Sequence, residues 1–245
     1  MKKMVEYFGI TLDEDKLPVH IGIILDGNRR WARARGLPPM EGHRKGIENL
    51  ERIVKFVKKI GVKILSVYAF STENWKRSPE EINFLMDIVD KYFRDNLKDF
   101  KEKGIRVVHS GRKNKLPFPT KRAILTAVRQ TKNNNEFIFN ICFNYGGRQE
   151  IIDGIKKLFL EVSKNRFNIK KLNEKNFSMF LYNPELPEPD LIIRTSGEVR
   201  TSNFLLWESA YSEWYFTKTY WPDFNEKELV KAIKDYQQRE RRFGK

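Results

Sequence analysis

Four short segments of the sequence gather residues whose types could do chemistry together. The first, Asp26-Gly27-Asn28-Arg29-Arg30-Trp31, follows an apolar run and opens a helical pattern. Gly27 and Asn28 tolerate a sharp turn, and the free N–H groups of a helix's first turn can hold a phosphate. The guanidinium forks of Arg29 and Arg30 match phosphate oxygens. Asp26 would repel a phosphate unless a cation lay between them, which is the usual Mg²⁺ arrangement, with waters completing the octahedron. A plainer use is open to the same residues: Asp26 caps the helix and the arginines are solvated. The second segment, Arg194-Thr195-Ser196-Gly197-Glu198-Val199-Arg200-Thr201-Ser202, could wrap a second anionic group or form an exposed basic loop. The third, Ser71-Thr72-Glu73-Asn74-Trp75-Lys76-Arg77, offers a hydroxyl, an amide, an indole and two cations, or else a capping loop around a buried tryptophan. The fourth is Asn144-Tyr145-Gly146-Gly147-Arg148. His43 and Glu213 stand apart from these segments. His43 could be a structural hydrogen-bonding group or a catalyst, and Glu213 a metal-side acid or an edge-strand charge.

These segments need elements that bring them to one place. Residues 20–25, 63–70, 105–109, 137–143, 191–194 and 213–217 read as strands, several apolar on consecutive positions, as in a parallel sheet buried on both faces. Helical patterns lie between them at 47–60, 79–100, 119–132, 148–163, 174–182 and 226–241. Ser78, Pro79, Glu80 and Glu81 make a capped, dipole-matched helix start. The helix over 79–100 carries more apolar surface than one ordinary stripe, so it faces either a core or interface on two sides or a greasy ligand. This alternation predicts one α/β domain over 1–245, with a central, mostly parallel sheet ringed by helices. Residues 1–18 form an N-terminal extension and 226–245 a final helix and tail. In such sheets ligands sit beyond the carboxyl ends of the strands, where all four segments fall.

The 245 residues carry 47 Lys+Arg against 32 Asp+Glu, a net charge of +15 that must attract something anionic. One cysteine excludes an intrachain disulfide and a multi-cysteine zinc site. No uncharged apolar run approaches the ~18 residues of a membrane span, and the N-terminus lacks a secretory leader's apolar stretch. The expectation is therefore a cytoplasmic protein with an anionic partner. Neither a Walker lysine nor a GxGxxG run is present, which leaves nucleotide binding of the usual kinds unsupported.

From about His20 to the C-terminus the chain resembles the cis-prenyltransferase family. The resemblance is carried by HIGIILDGNRRWA, GHRKG, YAFSTENWKR, FNYGGRQEI, DLIIRTSGEVRTSNFLLWESAYSEWYF, WPDF and RERRFG. It implies an α/β fold with an apolar substrate tunnel, usually in a homodimer. It also implies Mg²⁺-dependent condensation of isopentenyl diphosphate onto an allylic prenyl diphosphate, farnesyl or geranylgeranyl, with a cis double bond formed. On this resemblance Asp26 holds Mg²⁺ with Glu213. Gly27, Asn28, Arg29, Arg30, Trp31 and His43 line the allylic diphosphate pocket. Ser71, Thr72, Glu73, Asn74, Trp75 and Arg77 border the reacting carbons, with Asn74 acting in proton removal. Arg194, Arg200, Thr201 and Ser202 bind isopentenyl diphosphate, and the tail residues Arg242 and Gly244 reach the neighbouring subunit's diphosphate.

The residue types agree with that chemistry, since an allylic cation forms only if the leaving diphosphate is neutralised, which suits one Mg²⁺ and several arginines. Three positions depart from the bacterial pattern. Arg29 replaces a frequent glycine, and Pro39 replaces a phosphate-binding arginine. Phe143 replaces a residue that is often small in long-chain enzymes, so it is expected to narrow the tunnel and shorten the product, or else to make the tunnel bend around it. Two rival readings are a non-catalytic partner subunit and a nucleic-acid-binding protein. The retained set of Asp26, Asn74, Arg77, Arg194, Arg200 and Glu213 argues against the first, and the absence of a binding motif against the second. The family reading itself expects no nucleic acid; a basic face would suit an anionic membrane surface instead.

Overall fold

The computed structural model describes residues 3–240. It begins with an antiparallel hairpin, β1 (Met4–Tyr7) and β2 (Ile10–Asp13), turned by Phe8 and Gly9 at positive φ. Then follow β3 (His20–Ile24), α1 (Asn28–Arg33), α2 (Pro39–Lys59), β4 (Ile64–Ser71) and α3 (Pro79–Glu102). The second half runs β5 (Ile105–Ser110), α4 (Phe118–Gln130), β6 (Phe137–Tyr145), α5 (Gly147–Ser163), α6 (Glu174–Phe177), β7 (Leu191–Arg194), β8 (Glu213–Phe216) and α7 (Glu226–Gln238). The hairpin, which sequence reading left within an extension, is tied to α7: Gln237 donates to the Asp13 carbonyl at 2.8 Å.

Strands β3 to β8 form one six-stranded sheet in the order β5-β6-β4-β3-β7-β8, and every neighbouring pair is parallel. Both faces are covered, which is why β3 and β7 are buried along their whole length. One face packs against α2, α3, α4 and α7 through a large apolar core that includes Ile23, Ile53, Val67, Phe139 and Ile233. The opposite face carries a buried polar ladder. His20 Nε2 meets Ser66 Oγ at 2.7 Å, Asn140 donates to Ser66 at 2.9 Å, and Ser110 donates to Asn140 at 3.0 Å. Burial lowers the His20 pKa to about 4, so its ring is neutral at physiological pH.

Chain order reverses at β3. The chain leaves it toward β4 on one side, while β7 and β8 are added later on the other. The loops after β3 and β7 therefore part at their strand ends and leave a crevice, the usual ligand position in such sheets. The segments after β4 and β6 border it.

Helix α2 starts at Pro39, earlier than the 47–60 pattern predicts, so His43 lies within the helix and not before it. The early turns were hidden because Gly42 and Gly46 weaken a helical pattern. They are needed for packing: a Cβ on Gly42 would lie 2.0 Å from the Asn28 carbonyl oxygen, and one on Gly46 2.4 Å from Asn28 Oδ1. The 174–182 pattern resolves into the short α6 followed by a single 3₁₀ turn.

Candidate active site

The crevice is a cavity of about 600 Å³ that receives Asp26, Asn28, His43, Ser71, Glu73, Asn74, Arg77, Arg194, Thr201 and Ser202. A smaller cavity of about 360 Å³ shares Asp26, Asn28, His43 and Arg77 with it and adds Gly27, Arg29, Arg30 and Arg33.

Gly27 caps α1 with φ +102, and a Cβ there would meet Tyr220 at 2.7 Å and Ser196 at 2.8 Å. Only glycine fits this turn. It holds Asp26 across the strand-order reversal from Arg194, whose Nη2 donates to Asp26 Oδ2 at 2.9 Å. Arg30 donates to the other oxygen of Asp26 at 3.1 Å. Thr195 Oγ1 accepts from the Asp26 N–H at 3.0 Å and donates to its carbonyl at 2.7 Å, which pins the loop. Arg194 is almost wholly buried, and its other nitrogen donates to the Arg200 carbonyl at 2.6 Å and Ser202 Oγ at 2.5 Å.

A second cluster centres on Glu81, buried at 6% exposure. Its carboxylate lies 2.9 Å from His43 Nε2, 2.9 Å from Arg77 and 3.7 Å from Arg29. Burial lowers the His43 pKa, outweighing the Glu81 hydrogen bond, so the ring stays neutral at physiological pH. Beside this cluster, the Ser71 N–H donates to Asn74 Oδ1 at 3.0 Å within a capping box. Burial also pushes the Glu73 carboxyl up, but hydrogen bonds from its own backbone, Ser71, Asn203 and Thr72 outweigh that and hold it below the usual range.

The loop from 196 to 205 is strained. Ser196, Ser202, Asn203 and Leu205 all take positive φ, a conformation side chains normally avoid. It is clamped from below, where Gly147 and Arg148 donate N–H groups to Asn203 at 2.8 Å each. Behind it Glu150 accepts from the Tyr145 hydroxyl and, at 2.9 Å, from the Tyr182 N–H, while Glu208 Oε2 is buried with no hydrogen-bond partner among the described residues. Burial and the neighbouring Glu150 push Glu208 up to about 8.

Several expected site residues lie elsewhere. Trp31 donates to Asp223 at 2.7 Å and carries Arg35 over its ring, so it anchors α1 and does not line the pocket. Trp75 packs edge-on to Phe70 and donates to Asn144 at 2.7 Å. Thr72 is turned toward Gly146. Arg200 is 59% exposed and pairs with Glu198. The pairing of Asp26 and Glu213 around one metal is not formed within the chain. Glu213 is opposite Leu191 at the start of its strand, whereas Asp26 follows the far end of β3, and Glu213 is bound to Arg239 at 2.8 Å. That end of the sheet is invisible in a residue count. Phe143 is buried against Phe70 at 5.1 Å, while Ile141 on the same sheet face lines the cavity, so the expected narrowing at Phe143 is not seen. Arg242 and Gly244 lie outside the described residues.

Sequence reading missed Glu81, Glu198 and Asn203. Glu81 had a signal, its four-residue spacing from Arg77, but an acid in a helix's first turn was already explained by the dipole.

A strand-order crevice with arginines around one carboxylate, opening into an apolar pocket, defines a site for amphiphiles with an anionic head. The comparisons agree with that class. The family model described as putative undecaprenyl diphosphate synthase matches residues 24–244. The isoprenyl transferase of Clostridium perfringens is 49% identical, covering 96% of this chain and 93% of that one, and the Bacillus anthracis isoprenyl transferase is 43% identical, covering 93% and 88%. Among solved structures, the lavandulyl diphosphate synthase of Lavandula x intermedia, in complex with dimethylallyl diphosphate, superposes with a TM-score of 0.91 at 34% identity, covering 94% of this chain and all of that one. A probable undecaprenyl diphosphate synthase from Campylobacter jejuni gives 0.77 at 30%, covering 93% and 99%. The chain belongs to the undecaprenyl diphosphate synthase family of prenyltransferases and is an isoprenyl transferase, an enzyme of cis-prenyl chain condensation. Among the described residues no helix is long and apolar enough to cross a membrane.

Proposed function

We propose that this chain condenses isopentenyl diphosphate onto an allylic prenyl diphosphate with the aid of Mg²⁺. The observation that carries the reading is the continuity of the 600 Å³ cavity, from Asp26, Arg77 and Arg194 at one end to Leu50, Leu85 and Val89 at the other. That is the shape of a diphosphate with a hydrocarbon tail.

Asp26 suits Mg²⁺. Among the described residues it is the carboxylate that lines both cavities, Glu73 lining the larger one only, and Mg²⁺ is commonly held by one or two carboxylates with the substrate's phosphates supplying further ligands. Among the described residues no cluster of three or more His, Cys, Asp or Glu could hold a metal without a substrate. Bound there, the ion would neutralise charge on the departing diphosphate. Arg30 and Arg194, now spent on Asp26, would turn to phosphate oxygens in a low-dielectric crevice where their charge counts most. Arg29, Arg30, Arg33, His43 and Arg77 would hold the allylic diphosphate, with Arg29 and Arg33 supplying cations where Pro39 leaves one out. Arg194, Arg200, Thr201 and Ser202 would hold isopentenyl diphosphate. An amide is not a base, so Asn74, fixed by Ser71, would orient the carbon that loses its proton while a diphosphate oxygen accepts it.

The outward face of α5 exposes Ile152, Ile155 and Phe159 by 48%, 48% and 70%. An apolar surface of this kind supports a homodimer. Incubation with labelled isopentenyl diphosphate, Mg²⁺ and starters of several lengths, followed by chromatography, tests the reading. Extended products that vanish on chelation are expected, and their absence with every starter overturns it.

A further inference from the structure

The net charge of +15 is not spread evenly along the chain. Residues 104–135 hold eight of the lysines and arginines and no aspartate or glutamate, which is more than half of the excess. This run covers β5, α4 and the loop between them. Arg106 pairs with Glu185 at 3.0 Å and Arg112 with Asp153 at 2.6 Å, both acids coming from elsewhere in the chain. Among the described residues Lys113, Lys115, Lys121, Arg122, Arg129 and Lys132 form no ion pair, so the protein does not neutralise them.

Helix α4 turns its cations outward. Thr120, Ala123, Ile124 and Ala127 are buried, and the Thr120 hydroxyl donates to the Met86 carbonyl of α3 at 3.3 Å. Phe118, Arg122 and Arg129 lie on the exposed side, with Lys132 just beyond the helix end. Phe118 is 73% exposed between Pro117 and Pro119, whose fixed φ stiffens the chain there. Beside α4, a cavity of about 430 Å³ is walled by Val107, Leu125 and Val128 and also lined by Lys113, Lys132 and Lys157. The carboxylate among its lining residues, Glu185, is the one that Arg106 already holds. Apolar walls beside ammonium groups suit a phosphate that carries a hydrocarbon. The Asn144 side chain donates to the Arg112 and Asn114 carbonyls at 2.9 Å each and accepts from Trp75. The loop that opens α4 is therefore fastened at the sheet edge where the active site opens.

We propose that the outward face of α4 and the loop before it dock on an anionic phospholipid surface, with Phe118 entering the headgroup layer. Charge complementarity selects the occupant. Anionic headgroups attract every lysine or arginine held within a Debye length of them, and an exposed ring among those cations adds apolar contact with the lipid. A nucleic acid answers to the same charge, but gripping single strands takes a row of rings for the bases. Phe118 is the one Phe, Tyr or Trp between residues 104 and 135. An isoprenyl transferase lengthens hydrocarbon chains, and this face would keep its active site beside the phase in which they dissolve.

Co-sedimentation with vesicles tests the proposal. The wild-type chain should bind vesicles of phosphatidylglycerol and phosphatidylcholine in equal parts, come off as salt is added, and ignore phosphatidylcholine alone. A cation near such a surface is worth about fivefold in binding, so Arg122→Gln together with Arg129→Gln should weaken it roughly 25-fold. Phe118→Ser should weaken it several-fold with no change of charge. Both variants should keep the wild-type rate of condensation in detergent, since none of these residues lines the active-site cavity. A polarity-sensitive dye on the thiol of Phe118→Cys, in a chain whose Cys142 is buried and unreactive, should shift its emission to the blue on the anionic vesicles only. No binding by the wild-type chain, equal binding to the two kinds of vesicle, or full binding by the double arginine variant overturns the proposal. An unshifted dye on bound protein overturns the entry of Phe118. Tighter binding of an RNA or DNA oligonucleotide than of the vesicles, lost in the same double variant, overturns the lipid and assigns the face to nucleic acid.

Discussion

The two arginines of the loop after β7 have the same side chain and opposite circumstances. Arg194 is 4% exposed and tied to Asp26, Ser202 and a backbone carbonyl, whereas Arg200 is 59% exposed and, among the described residues, bound to Glu198 alone. A guanidinium fixed in a low-dielectric crevice has already met its ordering and desolvation costs through partners a substrate can replace. One at the rim must be ordered by the substrate itself and is screened by water and salt. A deep residue should therefore contribute more to substrate binding and catalysis than a rim residue does.

The comparison breaks most sharply at Asp26. Asp26→Ala should lower kcat by about 1,000-fold or more, roughly 4 kcal/mol of transition-state stabilisation. A variant keeping over a tenth of wild-type kcat in a steady-state assay would remove Asp26 from the mechanism. Next, Arg194→Ala should raise the KM for isopentenyl diphosphate by about 10- to 150-fold, since a charge-assisted contact is worth ~1.5–3 kcal/mol. It should also lower the melting temperature, because Asp26 loses a partner. Arg200→Ala should raise the same KM by less than about tenfold, as a solvated contact does, and leave melting unchanged. Equal effects at the two positions would erase the distinction between deep and rim cations.

A third test acts beneath the rim. Glu208 is raised from the ordinary carboxylate range to about 8, so between those limits the folded protein holds a proton that the unfolded chain releases. Its contribution is present below the unfolded value and lost as pH rises toward 8. Calorimetry from pH 6 to 9 should show a falling melting temperature, by roughly 2–4 °C per kcal/mol for a chain of this size. Glu208→Gln should flatten that slope, and an unchanged slope would place its cause elsewhere. The smallest effect belongs to Glu198, which bridges Arg30 at 2.6 Å and also pairs with Arg200. Glu198→Gln should change diphosphate KM values by no more than about fivefold at low salt, and less as salt is added, as expected for exposed pairs.

Much of the molecule was legible in the sequence because its signals are local. Consecutive apolar residues in β3, β4, β6 and β7 announced a sheet buried on both faces, and the strand-end position of Asp26, Asn74 and Arg194 announced a common binding edge. Glu213 misled because adjacency in a motif says nothing about which end of a strand a residue occupies. Trp31 and Trp75 misled because an indole beside cations looks the same in sequence whether it stacks on a ligand or anchors a helix.

The sequence by itself determined which residues could bind diphosphate, that parallel strands would carry them to one edge, and that a long apolar helix would adjoin them. Only the tertiary structure decided that Asp26 meets Arg194 across 168 residues and that Glu81 gathers His43, Arg77 and Arg29. The reason is physical. Residue type and spacing act over a few positions, whereas these meetings depend on strand order and helix approach, which the packing of the whole core sets.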